Sequence, residues 1–269
     1  PGATGSLAAN KAIIVDTTSP TVSNVTSSTD NGSYKENDVI SIQVVFSENV
    51  VVTGTPQLTL ETGTNDAVVN YASGTGSTSL TFTYTIASGH TSSDLDYKAT
   101  SSLSLNSGTI KDAAGNAAIL TLPTPGATGS LAANKAIIVD TTAPVNQNTV
   151  FATSISDNGG SDITIVSSGD ATNNVWFAPN GTTSFTAGNT ITKAANGTST
   201  TIKAPANEGT YYLYVIDAAG NISSKSTATL TVDDTAPTVS NVTSSTDNGS
   251  YKENDVISIQ VVFSENVVV

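Results

Sequence analysis

The chain has 269 residues, of which 22 are acidic and nine basic, all nine of them lysine, for a formal charge of -13. With no arginine and no basic run, a nucleic-acid backbone would be repelled, and no stretch approaches the roughly 18 to 20 apolar residues that span a membrane. Cysteine is absent, which excludes disulfides and thiolate chemistry, and His90 is the only histidine, too few for a Ser-His-Asp arrangement in each repeat or a His-based zinc site.

The length allows two domains, each with a sizeable core. Hydrophobic content of 37% with only 12% charged residues and 21 glycines suits short strands joined by tight turns, an all-β composition. The chain has no methionine and starts at Pro1 inside strand-like sequence, as a segment cut from a longer protein would.

Internal repetition sets the domain plan. Residues 1–18 recur unchanged at 125–142, an offset of 125 - 1 = 124, and residues 21–52 recur unchanged at 238–269, an offset of 238 - 21 = 217. The difference, 217 - 124 = 93, is the length of a second kind of module. The expected order is the tail of a first-type module (1–16), a complete first-type module (17–140), a complete second-type module (141–234) and the head of another first-type module (235–269). The joints are Asp16-Thr-Thr-Ser-Pro20, Asp140-Thr-Thr-Ala-Pro144 and Asp233-Asp-Thr-Ala-Pro237. Proline fixes φ and biases the residue before it toward an extended conformation, so such joints leave modules little room to swing.

In chain order, Ile40, Ile42, Val44 and Phe46 alternate with Ser41, Gln43 and Val45, and Leu80, Phe82, Tyr84 and Ile86 alternate with Thr81, Thr83 and Thr85. Period-two patterns of this kind place one face on a core and the other in water. Turn clusters fall between them at Asp30–Ser33, Thr62–Asn65 and Ser73–Gly76. No stretch reads as a long helix, and Ile137-Ile-Val139 has strand chemistry. The second-type module repeats the plan with strands at 163–166, 175–177, 211–216 and 228–232, a spacing that fits a β-sandwich of about seven strands. Its tyrosines around Tyr211 sit where a tyrosine corner would lie, or simply pack a core, and Trp176 reads as core or as a ligand platform.

The joints, together with Phe46-Ser-Glu-Asn-Val50, Gly108-Thr-Ile-Lys-Asp-Ala-Ala-Gly-Asn116 and Val215-Ile-Asp-Ala-Ala-Gly-Asn221, resemble the bacterial immunoglobulin-like tandem repeats of giant secreted adhesins and surface-layer proteins. The resemblance covers essentially the whole chain. It implies tandem immunoglobulin-like Greek-key β-sandwiches in a linear array, an extracellular location, and calcium at the joints.

In such a sandwich the loops at one pole gather the joint carboxylate, the end of the second strand and the last hairpin. That groups Asp16, Glu48, Asp112 and Asn116 in the first module, and Asp140, Asp170, Asp217 and Asn221 in the second, with Asp233 and Asp234 at the third joint. Carboxylate and amide oxygens in this number suit Ca2+, which takes six to eight oxygen ligands. Asp-Ala-Ala-Gly-Asn is also a good turn on its own, with Gly supplying positive φ, so the cation and turn-only readings both stand at this point.

The expected function is a non-enzymatic structural extender of a bacterial cell-surface or secreted adhesin, stiffened by Ca2+. Paired carboxylates here lie in turns rather than in an apolar cleft that would split their pKa values, and no phosphate-cradling loop appears. Its partners would be neighbouring immunoglobulin-like modules of the same chain. Two alternatives remain: identical chains assembling into a filament or surface layer through exposed strand edges, and a carbohydrate- or surface-binding module meeting cell-surface glycans through Trp176 and its tyrosines.

Overall fold

The computed structural model describes residues 4, 6–7, 11–166, 173–185, 192–193 and 199–267. It is an all-β protein whose chain divides into two compact units. The first comprises Pro1–Asn146, Thr172–Asn174 and Val215–Ser224; the second comprises Gln147–Ala171, Val175–Tyr214 and Lys225–Val269.

The first unit holds β1 (Val22–Ser27), β2 (Gly32–Tyr34), β3 (Val39–Thr53), β4 (Gln57–Glu61), β5 (Ala67–Ser73) and β6 (Ser77–Thr85). It continues through β7 (Thr91–Ser92), β8 (Asp96–Tyr97), β9 (Leu103–Ser104), β10 (Thr109–Lys111), a one-turn helix α1 (Leu131–Asn134) and β11 (Ile137–Asp140). One sheet runs β1-β3-β6-β5-β4-β8, with β10 added to β3 and β9 to β4, and the other runs β2-β11-β7. The two alternating runs of the sequence meet in register, Ile40 opposite Tyr84, Ile42 opposite Phe82 and Val44 opposite Leu80, all six side chains at most 1% exposed. Burying each such side chain is worth about 1.5 to 3 kcal/mol against leaving it in water. Ile137 and Val139 of β11 join the same core, which makes the unit a sandwich of two sheets.

Helix α1 stops after one turn because Lys135 is already extended and Ile137-Ile-Val139 is β-branched. Strand β11 then lies parallel to β2, with Ile137 opposite Gly32 and Val139 opposite Tyr34. One local expectation is corrected. Glu48 does not follow the end of a strand, because β3 continues to Thr53. The polar run Ser47-Glu-Asn49 breaks the alternation and reads as a loop, but β10 takes up the ladder beyond it, pairing Ile110 with Val52. The register of β3 against β6 slips between Val45 and Val50, and Glu48 lies in that slip.

The second unit opens with α2 (Gln147–Val150) and holds β12 (Ile155–Asp157), β13 (Asp162–Val166), β14 (Asn174–Ala178), β15 (Thr192–Lys193), β16 (Ser199–Lys203), β17 (Gly209–Ile216) and β18 (Thr229–Val232). Asn174 and the last two residues of β17 group with the first unit. The sheets are β12-β18-β17-β14-β15 and β13-β16, seven strands among the described residues, as the spacing of strands and turns predicts. Ile163, Ile165, Phe177, Leu213 and Leu230 are buried, with Phe151 edge-on to Phe177 at 4.9 Å. The hairpin β19 (Val239–Ser244) and β20 (Ile259–Phe263) repeats the β1–β3 pairing, including its bulge: Val239 faces Phe263 as Val22 faces Phe46.

Candidate metal centre

Asp16, Glu48 and Asp112 lie close together, although Glu48 is carried by β3 rather than by a loop. One ligand oxygen each from Asp16, Glu48 and Asp112 lie within 4.8 Å of one another, the only such trio among the described residues. Asp16 arrives on the joint, Glu48 on the register slip of β3, and Asp112 on the turn after β10. That turn is built by its own side chains. Asp112 Oδ1 accepts from the backbone N–H of Gly115 (2.7 Å) and Asn116 (2.8 Å), and Asp112 Oδ2 accepts from Asn116 Nδ2 (2.7 Å). Gly115 turns the chain at φ +99°, a conformation that favours glycine.

Asn116 Nδ2 also donates to the backbone oxygen of Asp16 (3.1 Å), tying the joint to the turn. Its nitrogen therefore faces the carboxylate, and the amide acts as a strut between the two acidic residues. Asp16 Oδ1 accepts from the N–H of Thr18 (2.9 Å), so part of that carboxylate already serves a turn.

Electrostatics distinguish Glu48 from Asp112. Glu48 is half-buried, and loss of water, followed by the negative charges of Asp16 and Asp112, raises its carboxyl above the usual value. Asp112 is buried and desolvation alone would raise it, yet the hydrogen bonds from the Asn116 side chain and from the backbone of residues 114–116 together hold it below the usual value. Of these two, Glu48 takes up a proton more readily than Asp112. A divalent cation would neutralise the same charge with hard oxygens.

The second hairpin copies this construction within the first unit. Asn221 Nδ2 donates to the backbone oxygen of Asp140 (2.9 Å) and to Asp217 Oδ2 (2.9 Å), and the Asn221 N–H donates to Asp217 Oδ1 (2.8 Å). Asp140 Oδ1 accepts from Thr142 (2.8 Å), the counterpart of the Asp16–Thr18 bond. Asp170 lies outside the described residues. The joint is also fastened to the sandwich by Thr141, whose Oγ1 accepts from Gly89 N (3.1 Å) and donates to His90 O (2.9 Å). The His90 ring is engaged separately, stacked on Tyr84 with its Nδ1 2.8 Å from the phenol oxygen.

At the third joint Asp233 Oδ1 accepts from Thr235 (3.0 Å), and Asp234 Oδ1 turns instead to the N–H of Gly159 (2.8 Å). Asp233 lines a cavity of about 270 Å³ with Asp157 and Glu265, all in the second unit. Glu265 is absent from the sequence-derived set, although it is the 217-residue repeat of Glu48 (48 + 217 = 265) and the offset alone would have supplied it.

Two aromatic alternatives are also placed. Tyr211 Oη donates to Asn207 O (2.8 Å) and Tyr34 Oη to Asp30 O (2.8 Å), each reaching four residues back over a Gly-x-Tyr turn, the hydrogen bond of a tyrosine corner. Trp176 is only 9% exposed, packed edge-on against Phe185 at 4.4 Å, which in turn lies 5.2 Å from Tyr214. Its role in the described structure is core packing.

No protein-family model matches the chain, and no curated protein matches it. Among solved structures, the fibronectin(III)-like modules of Clostridium thermocellum CbhA align over 77% of this chain and 93% of that one, with 13% identity and a TM-score of 0.29. An overlap this loose carries no functional inference, and the sandwich architecture stands on the strand pairings described above. Among the described residues no helix is long and apolar enough to cross a membrane.

Proposed function

We propose that this chain is an extender segment of a bacterial cell-surface or secreted protein, located outside the cell, in which immunoglobulin-like modules are stiffened by Ca2+ at their joints. The observation that carries this reading is the convergence of Asp16, Glu48 and Asp112 within 4.8 Å, with Asp16 heading a joint that occurs three times in the sequence. Asp16, Glu48 and Asp112 would hold the ion through carboxylate oxygens, and the bound ion would supply positive charge where three acidic groups otherwise repel. The chain's own residues do the rest. Asn116 holds Asp112 against the joint, Thr141 anchors the next joint to the loop before β7, and Asn221 repeats the strut at Asp140.

Stiffness is then a matter of how many bonds clasp each Thr-rich joint. Small-angle scattering in calcium and in chelator tests the reading: the maximum dimension shortens and the flexibility rises on removing the ion. Identical scattering in both conditions overturns it.

A further inference from the structure

The sheet that runs β1-β3-β6-β5-β4-β8 is split between two of its strands. Strand β3 stays paired with β6 as far as Thr85, and β4 stays paired with β5 as far back as Ala67. Strands β5 and β6 themselves pair only at Tyr71 opposite Phe82 and Ser73 opposite Thr81. Tyr71 and Phe82, edge-on with ring centroids 6.2 Å apart, stand at the closed end of the resulting wedge. Beyond that pair, between 67–70 and 83–85, lies a cavity of about 560 Å³, within the size range of small-molecule sites.

The groups around this cavity are polar, uncharged and largely unengaged. Backbone groups alternate sides along a strand, and the bonds from Tyr71 N to Pro56 O and from Ile86 N to Asp38 O fix the phase. Val68 and Thr85 therefore turn both N–H and C=O away from their paired neighbours and toward the gap. Asn70 Oδ1 accepts from Gln57 Nε2 (3.0 Å), which leaves the Asn70 amide nitrogen free. His90 Nδ1 accepts the Ala87 N–H (3.3 Å) and lies 2.8 Å from Tyr84 Oη, so the ring proton is on Nε2, which donates to nothing among the described residues. The exposed Thr83 and Thr85 add two hydroxyls, and the half-buried Tyr71 adds an aromatic surface. None of the chain's 22 acidic or nine basic residues lines the cavity, so its lining selects against a charged ligand.

We infer that this cavity is a binding site for a neutral sugar, one or two rings of a glycan, whose hydroxyls both donate and accept. The carbonyls of Val68 and Thr85 accept from the sugar, while their N–H groups, the Asn70 amide nitrogen and His90 Nε2 donate to it. The apolar face of the sugar ring packs on Tyr71. An extended peptide fits less well: only Val68 and Thr85 have both backbone groups unpaired, and a strand added to an edge needs several such residues. The site lies in the first unit, away from Trp176, and uses no carboxylate, so it stands independently of the calcium reading.

Backbone-amide NMR of the whole chain, with maltose, lactose and N,N′-diacetylchitobiose each raised to about 10 mM, above a millimolar Kd, tests this. The expected result is a set of shifts at Val68, Asn70, Thr85 and His90 with at least one sugar. The affinity should not change when salt is raised from about 0.1 to 1 M, because no ion pair is involved. Asn70→Ala removes an exposed amide, leaves the strand pairings in place, and should weaken the binding roughly two- to tenfold. Absence of shifts with all three sugars overturns the inference, as do shifts centred on Trp176 or an affinity unmoved by Asn70→Ala. Shifts with acetyl-Thr-Val-Thr-amide and with none of the sugars also overturn it, and would assign the open edges to an extended peptide.

Discussion

Replacing Asn221 by Ala isolates the strut that the structure places at the Asp16 and Asp140 joints. The amide nitrogen makes two bonds of 2.9 Å, one to the carboxylate of Asp217 and one to the backbone oxygen of Asp140. A hydrogen bond to a charged group contributes about 1.5 to 3 kcal/mol and a neutral one about 0.5 to 1.5 kcal/mol. Asn221 is half-buried, so water replaces part of what is lost, and the lower ends of both ranges apply. Their sum is about 2 kcal/mol, which converts to roughly 30-fold at 1.4 kcal/mol per factor of ten. Because Val215–Ser224 is a local hairpin, the effect is best read as native-state hydrogen exchange rather than global melting. The N–H groups of Gly220 and Asn221, which donate to Asp217, should exchange about 30-fold faster in the variant while those in β3 and β6 keep their rates. A change of less than about twofold at these two amides would refute the strut.

Other predictions follow from the same geometry. Glu48 has a folded pKa above its ordinary 4.5, so its ionised form opposes folding. In chelator, the contribution of Glu48 falls as pH rises through the raised value and is recovered as pH drops toward 4.5, whereas Asp112 works the other way and loses its contribution only below its ordinary 3.8. Thermal midpoints measured from pH 4 to 7 should therefore show a gain on acidification through the Glu48 window that Glu48→Gln abolishes, and calcium affinity should weaken over the same window because the proton and the ion compete. Tyr211→Phe removes only the bond to Asn207 O, and the urea midpoint should show a loss of about 1 kcal/mol, with no loss indicating that the corner contributes packing alone.

Much of the fold can be read from the sequence where the physics is local or repeated. The period-two runs through Ile40 and Leu80 specify their buried faces because a strand alternates sides at every residue. Their mutual pairing, and the parallel match of β11 to β2, depend on contacts across tens of residues that no local pattern encodes. The position of Glu48 misled for a related reason: Ser47-Glu-Asn49 looks like a loop, and the strand continues only because β10, about 60 residues on, completes the ladder. Asp16 and Asp112 were identifiable because joints and Asp-Ala-Ala-Gly-Asn turns recur. Glu265 and Tyr34 carry the same repeated signals, in the 217-residue offset and in Gly32-Ser-Tyr34 matching Gly209-Thr-Tyr211. The orientation of the Asn116 and Asn221 amides, nitrogen toward carboxylate, was beyond sequence because it follows from hydrogen-bond partners that only the folded turn brings together.

The measurement that bears most directly on the central claim is a crystal structure of the chain grown in calcium, with anomalous scattering to identify the ion. The account predicts a calcium peak within about 2.3 to 2.6 Å of carboxylate oxygens from Asp16, Glu48 and Asp112. Carboxylates turned apart into solvent, with no anomalous peak between them at saturating calcium, would contradict it.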